Sequence, residues 1–283
     1  MAPPSYNELG SQARALFSKH YHLGQIKLDV ITKTPTGLEF TCAGLSNRET
    51  GRVLGHLESK HNVKEWGLTF KEKWTTDNQI STEITVADKM MEGLKLGAVG
   101  SFTPQAGKKR GTVSASMKGG YFNVGSEVEL DQNGPLINAT GVVGSRGFLV
   151  GAQCSFDPNQ KKFTKTNVSL AYLAEDFQLH TNINQKTDFS GSVYQKVNDS
   201  LQSGVSFGWS SKSNETQLAV GCIYKIDDSS SWKAKISNNS QICLGFVHKL
   251  RPGILVALSS MVDAKNLNDG GHKLGLGIEL NAS

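Results

Sequence analysis

The sequence lacks any long apolar run. Only 37% of its 283 residues are hydrophobic, and no stretch approaches the roughly 18 consecutive apolar residues that indicate a membrane-spanning helix. The chain is therefore not predicted to be a helical membrane protein. Its low hydropathy leaves membrane-spanning β-strands open, because strands that alternate apolar and polar residues keep the average hydropathy low.

Proline and cysteine are also scarce. Seven prolines stand against 30 glycines, a balance that fits many tight turns better than a disordered chain. The four cysteines, Cys42, Cys154, Cys222 and Cys243, show neither CxxC nor paired metal-ligand spacing. We therefore predict no disulfide framework and no metal site. We interpret the cysteines as small apolar side chains, with redox-sensitive thiols as the alternative.

Two common catalytic signatures are missing. The chain contains no HExxH or GxxxxGKS/T motif, and the segment Gly275-Leu276-Gly277 lacks the third glycine of a dinucleotide-binding loop. The net charge of +5 is not gathered into a basic stripe interleaved with aromatic residues, the pattern typical of nucleic-acid binding. We predict a protein that is not an enzyme, requires no cofactor and binds no nucleic acid.

Residues 1–24 differ in pattern from the rest of the chain. Apolar residues recur there at helical spacing, at Tyr6, Leu9, Ala13, Leu16 and Phe17. Ser5 precedes them as the predicted N-cap, and Glu8 stands at the capping-box position. We predict one short amphipathic helix, followed by a hinge at Gly24.

Residues 25–283 alternate with period two and form the second predicted unit. Apolar and polar residues take turns over 26–30, 38–42, 122–130 and 274–280, among other stretches, and turn residues separate these runs at 34–37, 157–159 and 251–253. Roughly 258 residues follow the hinge. At about 10 residues for each spanning strand and three or four for each turn, this length gives about 18 to 20 strands.

The apolar face keeps one character along nearly all the hairpins, with no sign of a division into two packed sheets. A meander of this length that closes on itself is too wide for side chains to fill. Its apolar face must then point outward to lipid, and its polar face must line a wet lumen. The alternative is a soluble β-rich module that binds a small ligand.

Longer motifs resemble the voltage-dependent anion channels, the eukaryotic porins of mitochondria. The resemblance covers essentially the whole chain. It is carried by the N-terminal residues 3–19, by 67–78 and 93–96, by 177–184 and 194–198, by 224–246, and by 250–253 and 270–280. Cys243 departs from the family pattern, which usually has a small residue at that position.

This resemblance implies a transmembrane β-barrel of 19 strands, closed by a parallel pairing of the first and last strands, with the helix inside the pore. It implies a voltage-gated, weakly anion-selective channel of the mitochondrial outer membrane. Such a channel passes ATP, ADP, phosphate, other small metabolites and ions. It also implies membrane lipids, metabolite anions, hexokinase and apoptosis-regulator proteins as partners, and homo-oligomers.

Pore selectivity should come from fixed charge on the lumen wall. The candidate basic residues are Arg14, Lys19, Lys27, Lys95, Lys118, Lys196 and Lys235. Vertebrate members of the family usually carry lysine at the positions of Ser11, Thr112 and Ser114, and arginine at that of Gln217. The loss of these charges predicts weaker anion selectivity than in a typical member.

Two nucleotides are implied as regulatory ligands. In the family, ATP is thought to touch the helix and the lumen wall, and the NAD(H) contacts map onto Gln241, Ile242, Cys243, Ser259, Ser260, Met261, Val262 and Asp263. Ser259, Ser260 and Asp263 match the family pattern, whereas Gln241 and Cys243 do not.

Glu72 stands out on an apolar face. It shares period-two spacing with Trp66, Leu68, Phe70 and Trp74, so the pattern predicts a carboxyl group that points at lipid. Placing a charged carboxylate there is costly. The family's membrane-facing glutamate, which is linked to barrel dynamics, oligomerisation and hexokinase docking, aligns with this residue. The alternative is a position near the headgroups, or a bulge that turns the side chain away.

Overall fold

The computed structural model describes residues 2–89, 91–132, 134–184, 187–266 and 270–282. One helix, α1, spans Ser11–Ser18. Nineteen strands follow in chain order. They are β1 Gln25–Lys33, β2 Leu38–Asn47, β3 Val53–Val63, β4 Leu68–Thr75, β5 Ile80–Ala87, β6 Leu94–Thr103, β7 Lys108–Lys118, β8 Phe122–Asp131, β9 Gly134–Ser145, β10 Phe148–Asp157, β11 Lys162–Leu173, β12 Phe177–Asn184, β13 Asp188–Lys196, β14 Leu201–Ser210, β15 Glu215–Lys225, β16 Ser230–Ser237, β17 Gln241–Arg251, β18 Ile254–Asp263 and β19 Lys273–Ala282.

The strands form one closed sheet. Each strand pairs antiparallel with its neighbours in sequence, and β1 closes the sheet by pairing with β19 in parallel, from Ile26 opposite Leu276 to Thr32 opposite Ala282. This arrangement confirms the predicted all-β barrel and its 19 strands. A barrel with more than 16 strands encloses an aqueous channel rather than a packed core.

The two faces of the wall have opposite character. Val143 is 61% exposed whereas its neighbour Val142 is 0% exposed, and Leu170 is 54% exposed whereas Ala171 is 6% exposed. The exposed members belong to a large set of apolar side chains that cover the outside, and the buried members pack against the N-terminal segment. The wall is therefore apolar outside and mostly polar inside, as the period-two pattern predicts.

The N-terminal segment, residues 2–24, differs from the single helix predicted. Tyr6–Glu8 forms a 3-10 turn, and Gly10 then adopts a left-handed φ of 68° before α1 begins. Ser5 and Glu8 do interact, since the Ser5 N–H donates to Glu8 Oε2 over 2.8 Å, but they cap the 3-10 turn instead of the helix. In the part of the chain that the structure describes, no helix has the length and apolar character needed to cross a membrane.

Helix α1 lies inside the barrel against β13, β14 and β15. Ala13 and Leu16 pack on Tyr194, and Leu16 is only 1% exposed. Gly221 lies on the wall where Leu16 comes close to it. A Cβ at this position would lie only 2.7 Å from Leu16 Cδ2, so the contact requires a glycine. Upstream of the helix, Leu9 packs on Val142, Leu149 and Ala171. The predicted position of the helix in the lumen is confirmed.

The predicted start of the strand that contains Glu72 was wrong. Trp66 lies in a 3-10 turn, Lys64–Trp66, and Gly67 ends that turn with a left-handed φ of 58°. Strand β4 begins only at Leu68. The short turn replaces two strand residues because Gly67 adopts a backbone conformation that L-residues with a Cβ rarely take.

The candidate pore and its N-terminal segment

The basic residues predicted for the wall all lie on the inward face. Lys95 and Lys118 alternate with outward residues of β6 and β7, and Lys196 shares its face with the buried Tyr194. Lys235 reaches the N-terminal segment directly, as described below. Lys27 shares its face with Asp29, at an Nζ to Oδ2 distance of 2.5 Å. The four positions where the chain lacks a family charge face the lumen as well: Ser11 is exposed on α1, and Thr112, Ser114 and Gln217 lie on the inward faces of β7 and β15.

Acidic residues share this inward face. Lys71 Nζ lies 3.2 Å from Glu58 Oε1, and Arg110 pairs with Asp131 at 3.4 Å. Lys196 pairs at 2.7 Å with Asp199, which lies in the turn after β13. Such pairs cancel part of the positive potential that the lysines would otherwise place in the lumen. Like the absence of the family lysines, these ion pairs reduce the positive charge of the lumen and favour a weak preference for anions.

Arg14 lies in the middle of α1 and Lys19 is its C-cap, and both are exposed to the lumen. The Arg14 guanidinium turns back along the N-terminal segment and donates to the carbonyls of Asn7 and Leu9, at 2.9 Å for Leu9. Part of its hydrogen-bonding capacity therefore holds the 3-10 turn to the helix. Hydrogen bonds from Ser5 lower the pKa of Glu8. The ammonium group of Lys118 on the wall lowers it further, so Glu8 is also attracted to the wall.

The C-terminal end of α1 is held by two lysines of β16. Lys235 Nζ donates to the Phe17 carbonyl over 2.7 Å, and Lys233 Nζ donates to the Lys19 carbonyl over 2.6 Å. Both ammonium groups also approach the Tyr21 ring, to 4.3 Å and 5.2 Å from its centroid. We call Lys233 and Lys235 the lysine clasp. The last carbonyls of a helix lack partners within it and carry partial negative charge, so cations are favourable there.

Lys233 was not among the lumen residues predicted from the sequence. The structure shows that it is only 4% exposed, under the end of the helix. The signal was present, since Lys233 is two residues from Lys235 and must share its face in a strand. Nothing in the residue pattern, however, shows that the helix ends above this strand.

The linker between α1 and β1 lies on the wall at β17–β19. The His22 N–H donates to Ser259 Oγ over 3.1 Å, and a Cβ at Gly275 or Gly277 would collide with His22. The Tyr21 ring lies 3.5 Å from the position of a Cβ on Gly245. Glycines on these strands thus leave the space in which the linker is seated.

This linker covers part of the predicted NAD(H) site. Cys243, Ser259 and Met261 are inward residues with 3%, 5% and 7% exposure. Cys243 lies close to Tyr21, and Ser259 accepts the hydrogen bond from the His22 N–H. Gln241 and Asp263 face each other on the same inward side. The remaining residues, Ile242, Ser260 and Val262, lie on the outward face. The eight residues therefore divide between the two sides of the wall, and the inward ones are largely covered.

The surroundings of His20 predict that the docking of this linker depends on pH. Burial and the Lys233 and Lys19 ammonium groups lower the pKa of His20 to about 4, outweighing the Glu279 carboxylate at 3.7 Å from its ring. A pKa that is lower in the docked state means that the released state binds the proton more tightly. We expect docking to be at full strength above pH 6.5, the ordinary value, and to weaken as the pH falls from 6.5 towards 4. Burial also lowers the pKa of His22, which acts in the same direction.

Electron paramagnetic resonance of a nitroxide at Gln12, in a background whose cysteines are replaced by alanine, would measure this effect. Label mobility should rise through that pH range, and the substitution His20→Gln should flatten the rise. Equal pH dependence with and without His20 would contradict the assignment.

Glu72 lies on the outward face of β4, exposed together with Trp74, and its register partners are Ser59 and Thr82. Its inward neighbours are Lys71 and Lys73. The predicted outward direction is therefore what the structure shows, and the carboxyl group is flanked by two hydroxyl side chains on an otherwise apolar face.

We expect a hydrophobic carbodiimide to label Glu72 in bilayers, because the reagent partitions into hydrocarbon and its central carbon is attacked by a carboxyl oxygen that it meets there. Peptide mapping by mass spectrometry would locate the adduct. Glu58, which faces inward next to Lys71, provides the matched comparison within the same sheet. Equal labelling of Glu58 and Glu72 would contradict the prediction, because labelling would then depend on general accessibility and not on exposure to lipid.

These features define a class: a membrane-embedded β-barrel whose lumen holds its own N-terminal helix. The eukaryotic porin family model matches residues 2–275. A Drosophila melanogaster voltage-dependent anion-selective channel is 49% identical over 282 residues, with 100% of both chains covered. Non-selective voltage-gated ion channels VDAC2 of Xenopus laevis and VDAC1 of Bos taurus are 47% and 45% identical, each with 99% of both chains covered. The chain belongs to the eukaryotic porin family.

Proposed function

We propose that this protein is a voltage-gated, weakly anion-selective diffusion channel of the mitochondrial outer membrane. It passes small hydrophilic solutes, chiefly anionic metabolites such as ATP, ADP and phosphate. The observation that carries the proposal is a closed 19-stranded wall with an apolar outside and an inside lined by Lys95, Lys118, Lys196 and the lysine clasp. Family membership agrees with the prediction of a channel rather than an enzyme.

Recording from planar bilayers under voltage steps tests this function. We expect steps of large conductance near zero voltage, and a switch to lower conductance as the voltage grows in either direction. A chain that stays in the membrane through an alkaline carbonate wash but never conducts would contradict the proposal. The soluble alternative predicts release by that wash, and the exposed apolar outer face argues against it.

Anion preference should be weaker than in relatives that carry more lumen lysines. The double substitution Ser114→Lys and Gln217→Arg adds two cations to the inward face and should move the reversal potential in a salt gradient towards the anion value. The shift should shrink as salt rises, because the Debye length falls from about 10 Å at 0.1 M to about 3 Å at 1 M. The neutral pair Ser114→Gln and Gln217→Asn is the control. A wild-type reversal potential as anion-favouring as that of a lysine-rich relative would refute the prediction.

ATP and NAD(H) remain proposed regulatory ligands, and hexokinase, apoptosis-regulator proteins and further copies of the chain remain proposed partners. Support for a nucleotide site comes from a lumen pocket of about 380 Å³ in which Lys19, Lys225 and Lys233 meet below the helix. Competition between ATP and NADH for quenching of a fluorophore at Gln12 would test both ligands. An ATP response that survives removal of Lys19 and Lys225 would place the nucleotide elsewhere.

A further inference from the structure

A recess of about 870 Å³ opens on the wall where β16–β19 and β1 approach one rim of the barrel. It lies where the last strands of the chain meet the first. We call it the seam groove.

The seam groove is formed by a small residue in a row of large ones. Leu244, Ser260 and Leu274 stand opposite one another on β17, β18 and β19, and the two leucines are 43% and 78% exposed. Ser260 therefore leaves a gap between two projecting side chains. The next row along the strands, Phe246 and Leu258, is apolar throughout and continues the groove down the wall.

The end of the groove at the rim is charged. It is lined by Arg48 and Glu49, in the turn after β2, by Lys273, the first residue of β19, and by His272 just before it. Lys273 Nζ pairs with Glu49 Oε1 at 2.6 Å, which balances one cation. Arg48 is exposed and has no ion pair within the described part of the chain, while its N–H is fixed on the Gly24 carbonyl at 3.0 Å. A net positive charge is thus held at the mouth of an apolar recess.

We propose that the seam groove binds one anionic phospholipid of the surrounding bilayer. An acyl chain lies in the gap over Ser260, and the phosphate receives the Arg48 guanidinium, which can donate two parallel hydrogen bonds to phosphate oxygens. Trp232, 48% exposed and packed on Phe246 at 5.0 Å between ring centroids, borders the groove. This inference goes beyond conduction and requires only that the outer wall faces lipid.

Charge favours a lipid over a second copy of the chain as the occupant. Two copies in one membrane that met across this groove by two-fold symmetry would place the same patch on both sides. Arg48 would then face Arg48 of the other copy, without an anion. A phospholipid supplies both the apolar chain that the gap needs and the anion that the mouth needs.

The experiment uses the full chain in phosphatidylcholine vesicles that contain a trace of photoactivatable phosphatidylglycerol, with the reactive group in its acyl chain. Mass spectrometry maps the cross-linked peptides. We expect labelling enriched on β17–β19. Photoactivatable phosphatidylcholine with the same chain should label these peptides about fivefold less, as expected when one cation near the membrane surface is the main recognition element.

Two variants and one control separate the parts of the site. Arg48→Gln should lower phosphatidylglycerol labelling to the phosphatidylcholine level, and Ser260→Phe should abolish the enrichment for both lipids by filling the gap. Arg52→Gln, in the same turn but paired with Asp77 at 3.2 Å, should change nothing. Conductance in planar bilayers confirms that each variant has folded and keeps this result separate from the channel function. Equal labelling by the two lipids, labelling spread evenly around the barrel, or links between two protein copies instead of lipid would overturn the proposal.

Discussion

Replacing Leu16 with aspartate is expected to release the N-terminal segment from the barrel wall. Leu16 is 1% exposed, packed with Tyr194 and directed at Gly221. Burial of a leucine side chain contributes about 2 to 3 kcal/mol, so its loss alone should shift the balance between docked and released helix by a factor of about 30 to 150. The buried carboxylate would add to this effect. Electron paramagnetic resonance of a nitroxide at Gln12 should change from restricted to mobile.

The control for this substitution is Ser11→Asp. Ser11 is exposed and begins α1, where a negative charge is favourable to the helix dipole. It should leave the label restricted. If Leu16→Asp also left the label restricted, the packing of Leu16 could not be what holds the helix. The substitution Gly221→Val places a side chain on the wall in the space that Leu16 occupies. It should therefore also release the N-terminal segment.

Removing the lysine clasp is expected to free the end of the helix that leads into β1. Lys233→Met and Lys235→Met keep the apolar stems and delete two charged hydrogen bonds to helix carbonyls. Each such bond contributes about 1.5 kcal/mol where water in the lumen can replace it, so the double variant should lose about 3 kcal/mol, or roughly a hundredfold in docking. A nitroxide at Ser18 should gain mobility, more than one at Gln12.

Lys225→Met is the matched control for charge. Lys225 lines the same lumen pocket, but in the described part of the chain its Nζ makes no hydrogen bond to the N-terminal segment. All of these substitutions remove lumen cations, so a change in mobility that Lys225→Met reproduced would be an effect of lumen charge rather than of the clasp. If the helix moves during voltage-dependent closure, the clasp variants should also close at lower voltage than wild type.

The faces of the barrel could be predicted from the sequence because strand geometry is local. Side chains alternate across a strand whatever lies around it, so the outward direction of Glu72 and the inward direction of Lys95 followed from spacing alone. The count of 18 to 20 strands followed from length, whereas the odd number and the parallel closure came from the family resemblance.

Contacts between distant segments could not be predicted in this way. The lysine clasp binds backbone carbonyls of Phe17 and Lys19, which no residue pattern reveals. The break at Gly10 was missed because helical spacing of apolar residues continues across it, and one glycine with a left-handed φ is enough to end the regular spiral. The covering of Cys243 and Ser259 depends on the path of the linker, which begins more than 200 residues away in the chain.

The parallel pairing of β1 with β19 has a consequence for how the protein is made. Ile26 must meet Leu276 before the wall is complete, so an emerging chain carries two unsatisfied sheet edges until β19 has been synthesised. Such edges are prone to join other chains. Biogenesis should therefore depend on a chaperone or insertion machine that shields β1 during translation, and removal of β19 should yield aggregates instead of a narrower channel.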